Sequence, residues 1–144
     1  MFRRAYDLVE DDHAVTELTG FRRESCEFTV DDQRLRVDRE RGKRFVLSGP
    51  VGRIASADRE TGRRWAITTA AGRLELERPS TWRSAWELRR GGVTVGRFEH
   101  RGVFSWTATG DVSAELPLPV RVFAFYVVLM LWERAAATAA AASS

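Results

Sequence analysis

The sequence predicts a mainly β (α+β) fold, a closed antiparallel β-barrel of about 10–12 strands enclosing a C-terminal hydrophobic α-helix. Three observations predict it. From about Val15 to Leu116, apolar and charged residues alternate with a period of two, interrupted every few residues by Gly, Pro or Asp. Such alternation is the signature of half-buried strands joined by tight turns. From Pro119 onward the pattern changes to a run that is apolar on every side, Val122 to Trp132. A helix of that kind must be surrounded. The strands offer one apolar face that needs cover, and a can of about eleven strands has room for a helix about 10–12 Å across.

Taken in order, Cys26, Phe28 and Val30 alternate with Glu27 and Thr29, Asp31-Asp32 interrupts, and Leu35 and Val37 alternate with Arg34 and Arg36. This is a hairpin with a short acidic turn. Phe45 and Leu47 belong to the next strand, Ser48-Gly49-Pro50 turns the chain, and Val51 to Ala57 follows; Asp58 to Gly62 closes the next turn. Trp65 and Ile67 then alternate with Arg64 and Thr68, Ala71-Gly72 turns, and Leu74 and Leu76 alternate with Arg73, Glu75 and Glu77. Trp86 and Leu88, the Gly91-Gly92 turn, Val93 to Glu99, the Arg101-Gly102 turn, Phe104 and Trp106, and the Gly110-Asp111 turn complete the meander. A short motif recurs as Gly52-Arg53-Ile54, Gly72-Arg73-Leu74 and Gly96-Arg97-Phe98, in keeping with repeated hairpins. Pro117 and Pro119 end the strands, and Pro119 suits a first helical turn. The central helix is expected over about residues 119–137, with 138–144 frayed, and residues 1–144 form one domain.

Charge and composition narrow the function classes. The 144 residues carry 23 Lys+Arg against 20 Asp+Glu, a net charge of +3, and Lys43 is the single lysine. Acids are interspersed with the arginines throughout, so nucleic-acid binding does not follow. The lone Cys26 excludes an intrachain disulfide and any multi-cysteine metal site. The first fifteen residues carry acids where a secretion signal needs an apolar stretch, so a cytoplasmic location is expected, peripheral to the membrane at most.

Trp86-Glu87-Leu88 and Gly96-Arg97-Phe98, followed by Phe104-Ser105-Trp106 and a Pro-led hydrophobic helix ending Leu131-Trp132, resemble the layout of the tubby-like barrels. That superfamily includes the tubby C-terminal domain, the LURP-one-related proteins and the phospholipid scramblases. The resemblance implies a closed barrel with a helix threaded through it, in a protein that acts at membranes. Tubby domains bind phosphoinositide headgroups through basic residues, and scramblases are associated with lipid movement and calcium. The likeness is one of layout, so no family residue role is carried over.

The densest basic stretch is Arg34, Arg36, Arg39, Arg41, Lys43 and Arg44, the candidate anion-binding set. Arginine suits phosphate because its planar fork can hold two oxygens together. Against this, Asp31, Asp32, Asp38 and Glu40 lie in the same stretch, and mixed charge on an outer strand face ordinarily serves solubility and edge protection. Arg63, Arg64 and Arg73 with Arg89 and Arg90 form a second group if the strand register brings them together. Phe123, Phe125, Tyr126, Val128, Leu129, Leu131 and Trp132 are the expected core of the helix. Arg121, at the helix start, suits a structural pairing, for instance with Glu115. Of the five tryptophans, Trp65, Trp86, Trp106 and Trp132 suit core packing, and Trp82, in the Pro79 to Trp82 connection, is placed to touch a membrane interface.

Catalysis finds no support in the residues. His13 and His100 are far apart and lack metal-ligand spacing; Asp11-Asp12-His13 is at most a weak cation site. Cys26 lies on the apolar face beside Phe28, where it is expected to be an inert core thiol. No phosphate loop or nucleophile elbow is present. The reading is therefore a non-enzymatic binding or scaffold module, without cofactor or metal, whose partner is anionic phospholipid or another protein. The alternatives are a tail-anchored membrane protein whose C-terminal helix enters the bilayer, and a pleckstrin-homology-like barrel, whose closing helix should be amphipathic.

Overall fold

The alternating segments form β-strands. The computed structural model describes residues 6–10, 13–18, 25–30, 32–79, 85–100, 104–108 and 116–143. Strands run over Tyr6–Glu10 (β1), His13–Leu18 (β2), Cys26–Val30 (β3), Gln33–Arg39 (β4), Arg44–Gly49 (β5) and Gly52–Thr61 (β6). They continue with Arg64–Thr69 (β7), Gly72–Glu77 (β8), Trp86–Arg90 (β9), Val93–His100 (β10) and Phe104–Ala108 (β11), before the helix α1 at Leu118–Ser143. The first two strands are partly or wholly upstream of Val15, where the meander is expected to begin. Their side chains, like those of β11, His100, Trp82 and Glu115, lie outside the described residues, as do the expected turns at Arg101-Gly102 and Gly110-Asp111.

The eight strands β3 to β10 pair in sequence order and are antiparallel throughout. Their turns follow the local chemistry. Gly91 and Gly92 adopt φ of 59° and 83°, the paired positive values of a two-residue turn whose twist matches the flanking strands. Asp32 (φ 62°) turns β3 into β4, consistent with the tolerance of aspartate for this conformation. The Gly-Arg-apolar motif does not mark equivalent places. It opens β6 and β8 at Gly52 and Gly72, but its third copy lies inside β10, beside a bulge between Thr94 and Gly96.

The expectation of a closed antiparallel barrel is corrected. The order of the sheet is β2-β1-β11-β10-β9-β8-β7-β6-β5-β4-β3, with β2 and β3 as its edges and no ladder between them among the described residues. Nor is the pairing antiparallel throughout, because β1 joins β11 in parallel, Val9 opposite Ser105. Alternation in sequence specifies which face of a strand is apolar; it does not specify whether the first and last ladders meet, which depends on tilt and stagger.

The apolar face of this open sheet curves around α1. Phe28, Val37, Phe45, Leu47, Ala57, Ile67, Leu76, Leu88 and Phe98 share one core with Val122 through Met130 of the helix. Five consecutive helical residues, Val122 to Tyr126, are 0% exposed, so the helix is covered on all sides. Phe123, Phe125, Tyr126, Val128 and Leu129 are buried as expected, while Leu131 and Trp132 pack half-buried at the margin of the core. Full burial of a large apolar side chain contributes about 1.5–3 kcal/mol, so this helix is the largest single source of hydrophobic stabilisation in the fold.

The helix is longer than expected at its C-terminal end, reaching Ser143 rather than about residue 137. Alanine has the highest helix propensity, and Ala135 to Ala142 is interrupted only by Thr138, whose hydroxyl donates to the Arg134 carbonyl at 3.0 Å. At the other end the Pro117 carbonyl accepts from the amides of Val120 (3.0 Å) and Arg121 (3.2 Å), and Pro119 sits within the first turn.

Candidate functional site

The outer face of the sheet is a belt of paired charges. Arg34 pairs with Glu27 on the neighbouring strand, and Arg36 with Asp38 at 2.9 Å. Arg44 lies 3.3 Å from Asp58, and Arg53 3.3 Å from Glu40. Across β7 to β10 the pairs form a chain: Arg64 to Glu77, Glu77 to Arg89, Arg89 to Glu87, Glu87 to Arg97 and Arg97 to Glu99. Glu77 and Glu87 stand directly opposite each other in register, and Arg89 bridges them at 3.3 and 2.7 Å, which offsets their repulsion. The hydrogen bond to Glu87, more than the nearby carboxylate charges, raises the Arg89 guanidinium above its ordinary range. Each such exposed pair contributes about 0–1 kcal/mol, so the belt serves solubility more than stability.

The belt divides the sequence-predicted anion-binding set. Arg34, Arg36 and Arg44 are occupied by carboxylates on the wall, whereas Arg39, exposed at the end of β4, stands opposite Phe45 in the register of the inward-facing Leu35 and Val37. Arg41 and Lys43 are elsewhere, exposed on the turn between β4 and β5, where Arg41 takes a positive φ of 63°. In the second group the register brings Arg64 and Arg89 together on Glu77, Arg89 also pairing with Glu87, while Arg73 pairs with Glu60 at 2.6 Å.

The β4–β5 turn flanks the end of the sheet from which α1 emerges. Arg134 of the helix donates from Nη1 to the Gly42 carbonyl at 2.9 Å, and its guanidinium stands 5.3 Å above the Phe45 ring. Phe45 in turn contacts Trp65 (centroids 5.6 Å apart) and the edge of Tyr126 (5.8 Å). The Arg59 amide donates to the Lys43 carbonyl at 3.0 Å, tying β6 to the same turn, and the Arg78 amide donates to the Arg63 carbonyl at 2.9 Å.

Here the surface opens into a groove of about 430 Å³, within the range of small-ligand sites. Among the described residues, Arg59, Arg78 and Arg134 supply its charge, Trp65, Trp86, Trp132 and Leu131 its apolar surface, and Gly62, Ala135 and Thr138 also line it; none of these is acidic. Trp65 and Trp86 are nearly fully buried and form the floor, while Trp132 is half-exposed at the side. Carboxylates adjoin these lining residues in sequence: Asp58 and Glu60 are engaged by Arg44 and Arg73, Glu77 by Arg64 and Arg89, Glu87 by Arg89 and Arg97, and Glu133 lies half-buried between Trp132 and Arg134.

Sequence reasoning did not bring Arg59, Arg78 and Arg134 together, because they come from β6, the segment after β8 and the helix. The one local signal is Arg134 itself, the first arginine after the apolar run of the helix. Cys26 is 1% exposed, and burial foremost, followed by the charges of Asp38 and Glu27, pushes its thiol far above the ordinary range. Among the described residues no group of three or more His, Cys, Asp or Glu is placed to hold a metal ion; the Asp11-Asp12 part of the weak cation site lies outside them.

Comparison with protein-family models, with curated proteins and with solved structures returns no match for this chain.

Proposed function

We propose that the protein is a non-enzymatic binding module that recognises anionic phospholipid headgroups at a membrane surface, on the cytoplasmic side, with the helix-exit end as its contact face. The observation that carries this reading is the groove lined by Arg59, Arg78 and Arg134, with no acidic residue among its described lining, beside the exposed Arg41 and Lys43. Arg34, Arg36, Arg44, Arg53, Arg64, Arg73, Arg89 and Arg97 are paired with wall carboxylates, which distinguishes them from the arginines that line the groove. Each basic residue held near an anionic bilayer adds about 1 kcal/mol of attraction, and several acting together give measurable, salt-sensitive association. A tail anchor is disfavoured, because Val122 to Met130, the most apolar part of the helix, is 0–1% exposed where it lies. Although the segment Leu118–Ala142 is long and apolar enough to cross a membrane, ten of its residues, Val120 and Val122 to Met130, are buried within the protein, and seven of the other fifteen are alanine.

Flotation of the purified protein with phosphatidylserine-containing and with neutral vesicles tests the reading. Association with the anionic vesicles alone, falling as salt rises from about 50 to 500 mM, is expected, because screening shortens the reach of exposed charges. Equal binding to neutral vesicles, or none to either, would overturn it.

A further inference from the structure

Building on the reading of the helix-exit end as an anion-binding face, we infer that its groove is a discrete site for one phosphomonoester carrying an aromatic or short apolar body. The composition of the lining argues for an amphiphilic anion. Three guanidinium groups, with no carboxylate among the described lining residues, favour negative charge, and a phosphomonoester presents enough oxygens for more than one of them. A floor of Trp65 and Trp86 with Trp132 at the side offers ring faces and edges that a bare inorganic anion would leave uncovered. The volume of about 430 Å³ holds a single-ring phosphate, and is too small for a folded peptide segment.

The site is also positioned before any ligand arrives. Arg134 is held from behind by the Gly42 carbonyl and the Phe45 ring, and Arg59 is anchored by its amide to Lys43 and by Nε to the Thr61 carbonyl at 3.4 Å. Among the described residues Arg59 has no carboxylate partner. Holding the donors in place lowers the ordering cost of binding. Aromatic packing continues inward from Trp65 to Phe45 and Tyr126, so the floor belongs to the rigid core.

The test is a titration of the full chain with phenyl phosphate, followed by tryptophan fluorescence and by calorimetry, with inorganic phosphate and benzyl alcohol as the charge-only and ring-only probes. One-to-one saturable binding of phenyl phosphate is expected, with each control at least about tenfold weaker. Arg59→Gln and Arg78→Gln are each expected to weaken it about tenfold while leaving the thermal unfolding midpoint unchanged. Benzyl alcohol binding as tightly as phenyl phosphate, unchanged affinity in both variants, or no saturation by about 10 mM would each overturn the inference. Vesicles of phosphatidic acid, which carries the same phosphomonoester on a lipid, separate the two sources. Competition between them and phenyl phosphate supports a headgroup as the natural occupant, whereas phenyl phosphate binding without flotation supports a soluble one and overturns the membrane reading alone. Flotation with phosphatidylserine without any phenyl phosphate binding leaves that reading standing and removes the discrete site.

Discussion

Cys26 occupies the inward face of β3 beside Phe28, with 1% of its surface exposed. Burial is the main reason its thiolate is disfavoured, and the negative charges of Asp38 and Glu27 add to it. In the unfolded chain the thiol ionises near about 8.5. A group whose folded pKa is raised contributes stability that is complete below its unfolded pKa and is lost as pH rises above it, here at about 1.4 kcal/mol per pH unit. Urea unfolding between about pH 8 and 9.5 should therefore show a decline in stability above about pH 8.5 that Cys26→Ala removes. The same decline in both proteins would mean that the thiol is not the titrating group. On the solvent face of the neighbouring strand, Arg34 and Arg36 are exposed and paired with carboxylates.

At the scale of elements, the β9–β10 hairpin depends on its turn. Val93 stands opposite Arg90, and both intervening glycines adopt left-handed backbone conformations. Gly92 (φ 83°) has no neighbouring atom within 4 Å of an added Cβ, so a substitution there is opposed by backbone conformation alone. Gly92→Val should cost about 1–2 kcal/mol, the penalty for a left-handed L-residue, while Gly91→Asn should stay within about 0.5 kcal/mol because asparagine is favoured at the first position of such turns. Thermal melts of the two variants measure the difference, and equal midpoints would contradict the turn geometry. Elements of this kind were legible in the sequence, since Gly91-Gly92, Asp31-Asp32 and the alternation of Leu74, Leu76, Trp86 and Leu88 each act locally. The third Gly-Arg-apolar copy does not open a strand: Gly96 lies within β10 opposite Leu88, next to Val95, which the register with β9 leaves without an opposite residue. The candidate site was the least legible part. Arg34 to Arg44 form a dense run in sequence, but a strand sends alternate residues to opposite faces and a turn redirects the rest, so the run separates into a paired wall and the exposed Arg41 and Lys43.

For the whole molecule, the sequence called for a helix covered by a closed antiparallel barrel, and the sheet that covers it is not closed. Burial of Val122 to Met130 satisfies that need, yet the sheet achieves it by curvature with β2 and β3 left as edges, and the parallel β1–β11 ladder arises from contacts between opposite ends of the chain. Such long-range pairing has no local signature in the residues. The consequence for stability is that sheet and helix cannot be separated. Without α1 the inward faces of Phe28, Phe45, Trp65, Leu88 and Phe98 would line an exposed apolar concavity, well beyond what a soluble surface tolerates. A chain ending at Pro117 should therefore fail to unfold cooperatively and should aggregate. A chain ending at Ala135 keeps every buried helical residue and loses mainly exposed alanines, so its midpoint should fall by no more than a few degrees. It also removes Thr138 from the rim of the groove while retaining Arg134 and its bond to Gly42, so association with anionic vesicles should persist. Circular dichroism melts and flotation of the two truncated chains measure both effects. A folded, soluble sheet from the chain ending at Pro117 would show that the helix is an appendage, and loss of vesicle association from the chain ending at Ala135 would move the contact from the arginine groove to the alanine-rich end.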